Sequence, residues 1–362
     1  LAKHRILSAP VISSTANLGG AAISTSAEPQ SAVGQICGFI DVRDILSSFL
    51  EVAIMEDLKN AKMLKRMRIL EEQGIKFANT QLKDLKHTTF IHNFYNRDAF
   101  KESSLYSVIH NGFLHPSTDN KGSSNVETAN AFGGGTRPRT VVHRLALYDQ
   151  NGALTQIISQ SDIMRYLYEN KDALGALKGK KICDLGLVKG QVISVPPETP
   201  ALDAMILMNE KNIGALAVVN NKGAIIGNFS VSELRTIMAE HFGSLSLPVG
   251  EFLALEHGTE MIWNRDVAAV GESLSSSTID SNIQSTASYK FVSDKKAQRR
   301  DSHPGSEVGQ KLITCKPDST IGEVLEMLVL HRLHRVYVCE MDDLVPKGVL
   351  TLTDLLRYFS DL

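Results

Sequence analysis

Four short tetrads in this chain set a carboxylate three positions after a polar residue, each at the same place in a recurring pattern. They are Asp41-x-x-Asp44, Ser159-x-x-Asp162, Ser230-x-x-Glu233 and Thr351-x-x-Asp354. A hydroxyl at a helix start can hydrogen-bond a phosphate, and unpaired N–H groups of the first turn add to that attraction. A carboxylate one turn later can accept from both hydroxyls of a ribose, in charge-assisted bonds of about 1.5–3 kcal/mol each. The same spacing is also a helix capping box, which serves the helix's own orphan donors. A single copy is most simply a cap. Four copies after equivalent strands point to a nucleotide, and the two roles are compatible. Two basic pairs, His143-Arg144 and His334-Arg335, precede strand-like runs. Arg offers a planar fork to phosphate and His a shorter donor; the alternative for each pair is surface charge at a helix–strand corner.

The elements that must position these residues repeat along the chain. Near the C-terminus, Ile321, Val324, Leu325 and Leu328 form one helical face, and Val336-Tyr337-Val338 is a strand. Met341-Asp342-Asp343 is a turn, Gly348-Val349-Leu350 a second strand, and Leu355 to Phe359 a closing helix. The unit recurs upstream, where 31 residues separate Thr199 from Ser230 just as 31 separate Thr320 from Thr351. A further copy runs through Leu145-Ala146-Leu147 and Ile157-Ile158. The first runs from Ala9-Pro10-Val11-Ile12 to Gly38-Phe39-Ile40. A repeated unit of this size buries its apolar faces only by stacking on its neighbours.

In chain order the spacing predicts repeat one over 1–50, connecting helices over 51–85 and repeat two over 86–174, with a flexible insert at 117–139. Repeat three follows over 181–242, a mostly disordered linker over 243–307, and repeat four over 308–362. Gly133-Gly134-Gly135 lies in the insert; without a following Lys-Ser/Thr or helix it is not a phosphate loop. The segment from Ser13 to Gly34 reads as a soft loop. Leu247 to Leu253 is expected to pack locally, whereas 271–306 is dense in Ser and Thr and reads as disordered. Arg299-Arg300-Asp301-Ser302 in that stretch has the composition of a solvated tail, or of a site for a basophilic kinase. The chain starts at Leu1, and its first repeat lacks a leading helix, so an N-terminal truncation is expected.

Composition narrows the function. A net charge of −2 supplies no basic field for nucleic acid, and no apolar run is long enough to span a bilayer. Cys37, Cys183, Cys315 and Cys339 are scattered without a C-x-x-C pair, which suits a reducing compartment, the cytoplasm or nucleus. Metal-ligand spacings and nucleophile motifs are absent, so no catalytic residue, metal or cofactor is assigned.

The four repeats resemble the CBS domain. Four in one chain resemble the gamma regulatory subunit of AMP-activated and sucrose-nonfermenting-type protein kinases, including the gamma-like type of plants. The resemblance implies an α/β (α+β) fold of helix-strand-strand-helix repeats, paired one with two and three with four into two Bateman modules. It assigns the tetrad acids Asp162, Asp354, Asp44 and Glu233 to ribose, with Ser159, Thr351 and Ser230 beside phosphate. It takes His143, Arg144, His334 and Arg335 to the phosphates at the centre. The implied ligands are AMP, ADP and ATP; the implied partners are the catalytic and beta subunits of a Ser/Thr kinase, with no nucleic acid and no membrane. Repeat one departs from the pattern with Leu7-Ser8 (Arg5 nearby) and Asp41, repeat three with Gly214-Ala215 and Glu233. Asp162 and Asp354 are therefore the leading candidates, Asp44 the next and Glu233 the last. The alternative is a CBS-domain interaction scaffold without nucleotide response.

Overall fold

The computed structural model describes residues 1–4, 6–12, 36–53, 55–59, 61–85, 94–96, 101–115, 142–149, 154–188, 191–257, 287–302, 312–340 and 342–362. The soft loop at 13–34, the insert at 117–139 and Arg5 fall outside them. Repeat one supplies β1 (Ser8–Ile12), β2 (Ile36–Asp41) and α1 (Val42–Val52). The connector forms α2 (Met55–Lys59) and α3 (Met63–Ala78). Repeat two has β3 (Phe94–Asn96), a π-helical turn at Val108–Leu114, β4 (Arg144–Tyr148), β5 (Leu154–Ser159) and α4 (Gln160–Glu169). Repeat three has β6 (Ser194–Val195), α5 (Ala201–Glu210), β7 (Ala215–Val219) and β8 (Ile225–Ser230), followed by α6 (Val249–His257) and α7 (Ala287–Ser302). Repeat four closes with β9 (Thr314–Cys315), α8 (Ile321–Leu330), β10 (Arg335–Cys339), β11 (Pro346–Thr351) and α9 (Leu352–Ser360).

The four hairpins share one register. Ser8 lies opposite Asp41, Arg144 opposite Ser159, Ala215 opposite Ser230, and Arg335 opposite Thr351. Each ladder slips at the same place, one residue before the end of its first strand. In repeats two, three and four a leading strand adds in parallel to the hairpin's first strand. A side-chain period of two makes register decide which residues face the core. The shared register therefore puts the second residue of each basic pair beside the polar residue of its own tetrad.

Three apolar cores join the repeats. One packs α1 residues Leu46 and Phe49 against Met205, Met208 and Phe229, joining repeats one and three. A second packs Ile163, Met164 and Leu167 of α4 against Val324, Leu325 and Leu355, joining repeats two and four. Sheets three and four meet through Ala217, Ile225, Tyr337 and Cys339, where Tyr337 Oη donates to Asn228 Oδ1 at 2.9 Å. Repeats one and two touch where Arg144 donates to Ser8 Oγ. Sheets thus link one to two and three to four, while helices bind the pairs together. The closed order around the molecule is one, three, four, two.

The linker corrects a sequence expectation. Within 243–307 the described residues form α6, with Val249 and Phe252 buried, and α7, which falls in the stretch read as disordered; 258–286 and 303–307 lie outside the described residues. α7 is anchored through its backbone, which composition does not display. The N–H groups of Ala287 and Ser288 donate to the two carboxylate oxygens of Glu71 at 3.0 and 2.7 Å. A carboxylate at a helix N-terminus satisfies orphan donors and meets the positive end of the dipole. Val292 is buried and Phe291 stacks on His241 at 4.3 Å.

Candidate functional site

The starts of the four closing helices converge on one central cavity of about 610 Å³. In each repeat the first helical N–H donates to the carbonyl just before the first strand: Val42 to Leu7, Gln160 to His143, Val231 to Gly214, Leu352 to His334. That bond ties each helix start to the position of the basic pair, so the two signals read from sequence become neighbours in space. Cavities of this size suit small organic ligands.

Nine of the eleven candidate residues line the cavity: Asp44, His143, Arg144, Ser159, Ser230, His334, Arg335, Thr351 and Asp354. Asp162 and Glu233 do not line it. Capping boxes form in repeats one, two and four. Asp162 Oδ2 accepts from Ser159 N at 2.8 Å and Oγ at 2.7 Å. Asp354 Oδ2 accepts from Thr351 N at 2.9 Å and Oγ1 at 2.5 Å. In repeat one Asp44 Oδ2 accepts from Asp41 N at 2.9 Å. Repeat three departs: Val231–Thr236 is a short 3-10 helix, and Ser230 makes no side-chain cap. Ser230 Oγ is instead in contact with Ser232 Oγ and lies 3.5 Å from Glu233 Oε1.

Caps and ligand contacts therefore compete for specific atoms. The first and third N–H groups of α4 and α9 are used internally, the latter by Ser159 and Thr351 hydroxyls at 3.3 and 3.2 Å. The second N–H groups, of Ser161 and Thr353, are the donors left to face the cavity among the described residues. In repeat one the equivalent Arg43 N–H is already held by Asp41 Oδ1 at 2.7 Å.

Four arginines (Arg43, Arg144, Arg335 and Arg357) and two histidines (His143 and His334) line the cavity against three carboxylates, Asp41, Asp44 and Asp354. His334 touches the open cavity, yet its imidazolium is destabilised, taking its pKa down to about 4. Its setting deep in the concave wall is the first cause; repulsion from Arg335, His143, Arg144 and Arg235 follows. Desolvation likewise lowers the guanidinium pKa of Arg144, against attraction from Asp41 and Asp162. It lowers that of Arg335 too, against Tyr337 and Asp354. An anion placed among these groups would relieve the repulsion.

Sequence reading missed several wall residues. Arg43 donates to Asn212 Oδ1 at 2.9 Å, and Thr353 Oγ1 to Gln160 Oε1 at 3.1 Å, bridging repeats across both helical interfaces. Asn212 occupies the left-handed region (φ 52), the helix-end conformation that Arg332 repeats in repeat four. Arg357, at the tetrad acid plus three, carried no signal beyond its position. Gly214, noted as a departure, has a physical reason: a Cβ there would lie 3.4 Å from an Arg335 guanidinium nitrogen. Repeat four's arginine fills the space of repeat three's missing pair. Burial pushes the thiols of Cys315 and Cys339 up to about 12 and about 11, which leaves neither nucleophilic. Among the described residues no helix is long and apolar enough to cross a membrane, and no group of three His, Cys, Asp or Glu is placed to hold a metal.

Residues 184–240 and 306–361, in repeats three and four, match the family model of the CBS domain. The chain is 26% identical over 210 residues to the SNF1-related protein kinase regulatory subunit gamma-1-like of Arabidopsis thaliana, covering 56% of this chain and 38% of that protein. It is 24% identical over 222 residues to the 5'-AMP-activated protein kinase subunit gamma-3 of Sus scrofa, covering 60% and 33%. Protein sds23 of Neosartorya fischeri is 31% identical over 140 residues, covering 37% and 24%. The chain thus spans only 24% to 38% of the length of these relatives. Among solved structures, the protein MJ1225 of Methanocaldococcus jannaschii shares the fold at a TM-score of 0.51 and 14% identity, covering 99% of this chain and 89% of that one.

Proposed function

We propose that this chain is a non-catalytic sensor in which AMP, ADP and ATP compete for the central cavity and their exchange regulates a Ser/Thr protein kinase complex. The observation that carries the reading is the cavity itself, where four arginines, with two histidines beside them, face three carboxylates at the meeting point of three capped helix starts. Similarity to two gamma subunits supports the kinase as client, with its catalytic and beta subunits as partners. The three nucleotides differ in charge against the same His and Arg side chains. Each would favour a different arrangement of the four repeats, and differential affinity is what shifts such an equilibrium. Affinities of micromolar to sub-millimolar, about −5 to −8 kcal/mol, suit sensing of cellular pools.

Calorimetric titration of the chain with AMP and with ATP tests this, repeated on Asp354→Ala with its folding checked by thermal melting. Saturable binding that the folded variant loses supports the sensor. Absence of binding to either nucleotide rejects it. The second reading, an interaction scaffold, is favoured by one observation: in repeats one, two and four, one oxygen of the tetrad carboxylate is committed to the cap.

A further inference from the structure

The helical interface of repeats one and three holds a second cavity, of about 260 Å³. Its origin is the weak closing helix of repeat three. In repeats two and four the closing helices α4 and α9 run for ten and nine residues, and Leu167, Leu355 and Leu356 share one core. In repeat three only the six residues Val231–Thr236 are helical, as a 3-10 turn, and the chain leaves them extended at Ile237. A 3-10 helix is tighter than an α-helix, so this short turn leaves a hollow beside the eleven-residue α1. Phe49 and Leu245 are its buried floor, Leu234 and Ile237 a wall, and Leu82 and Met238, 48% and 42% exposed, its rim. Among the lining residues only Thr80 has a polar side chain, and none carries a charge.

We infer that this cavity binds the alkyl chain of a small uncharged amphiphile, whose polar end lies outward beside Thr80. Folded interiors are close-packed, with few voids larger than a water molecule. A hollow without polar partners does not hold ordered water, and accepts hydrocarbon instead. An apolar cavity of about 150 Å³ takes benzene, so this one has room for about ten carbons. A helix, about 10–12 Å across with its side chains, does not fit such a volume. A charged group would give up its hydration here for no counter-charge. Thr80, exposed at the mouth, can instead exchange a hydrogen bond with a hydroxyl. The site continues the interface of repeats one and three, since α1 and the 231–236 turn both wall it. Val42 lines this cavity and the central one, so an occupant bears on the first turn of α1. The site is thus a second input to the molecule, independent of what the central cavity binds.

The test is calorimetric titration of the full chain with 1-octanol, with 1-hexanol as a shorter probe and octanoate as a charged one. Wild type is expected to take one equivalent of 1-octanol saturably. It should also melt at a higher temperature with it, because a ligand of the folded state stabilises that state. Each CH₂ withdrawn from water should tighten binding about fourfold, so 1-hexanol should bind about sixteenfold more weakly. Ala78→Trp and Met238→Trp fill the mouth, one from the end of α3 and one from repeat three, at exposed positions that leave the core alone. Each should abolish saturable binding and the rise in melting temperature. Ala173→Trp, exposed and outside the cavity, should keep both. No saturable binding by wild type overturns the inference. So does equal binding by wild type and the folded mouth variants, which is partitioning onto apolar surface. Octanoate bound as tightly as 1-octanol overturns the uncharged end.

Discussion

Replacing Gly74 by Ala sets two known effects against each other. Gly74 lies inside α3, where alanine is worth about 1 kcal/mol more than glycine in helix propensity. On an isolated helix the substitution would stabilise. Here a Cβ would stand 2.5 Å from the carbonyl oxygen of Ala239 and 2.9 Å from Phe242 Cβ. A backbone oxygen cannot swing aside as a flexible side chain can, so α3 must move off the Ala239–Ser246 segment by several tenths of an ångström. That motion strains the edge-on pairing of Phe49 with Phe242, whose centroids are 4.9 Å apart, and of Phe49 with Phe77 at 5.5 Å. Overpacking costs about 1–3 kcal/mol, and a loosened aromatic pair about 0.5–1.5 more. Subtracting the propensity gain leaves a net loss of about 0.5–3.5 kcal/mol. Equilibrium urea unfolding measures it, with Gly179→Ala as control, because nothing lies within 4 Å of a Cβ at that position. A lower midpoint for Gly74→Ala with an unchanged control supports the reasoning. A Gly74→Ala chain as stable as wild type would refute the claim that α3 requires glycine to approach this closely.

Three further outcomes are expected. Leu325→Ala, at a fully buried site between repeats two and four, should cost about 2–5 kcal/mol in urea unfolding. His334 has its folded pKa lowered from 6.5 to about 4, so between those values the unfolded chain binds the extra proton. Its contribution to stability is whole above 6.5 and is lost as pH falls toward 4, and His334→Gln should flatten that part of the pH profile. Glu71→Ala removes the acceptor for two N–H groups of α7, so hydrogen exchange at Ala287 and Ser288 should accelerate while the cores around Phe49 and Leu325 keep their protection.

The repeated hairpins were legible because their signals are local. A polar residue, a turn and an apolar run at fixed offsets specify a register, and the register then brings Arg144 to Ser159 and Arg335 to Thr351. What escaped depends on distant partners. Nothing in the α4 sequence says whether its apolar face meets repeat one or repeat four, since both faces are of similar chemistry. The docking of α7 rests on backbone donors and on Glu71, more than 200 positions away, so its Ser-rich composition suggested disorder. Asp162 and Asp354 look equivalent as text; only the different paths of Arg165 and Arg357 separate them. The weak closing helix of repeat three was foreshadowed by Glu233, a longer acid that does not form the box.

The closed order of the repeats has a consequence for how the chain is made. The side chains that bridge repeats one and three, Ser47 with Asn209 and Arg43 with Asn212, are 162 and 169 residues apart; Gln160 and Thr353 are 193 apart. As the polypeptide leaves the ribosome, the apolar side of α1 must wait for repeat three, and that of α4 for the last fifty residues. Such long-range closure slows folding and keeps sticky surface exposed meanwhile. A fragment of repeats three and four alone would leave Met205, Phe229, Val324 and Leu325 without the helices that cover them. It should self-associate rather than behave as an independent half, and the natural unit of folding is the whole ring.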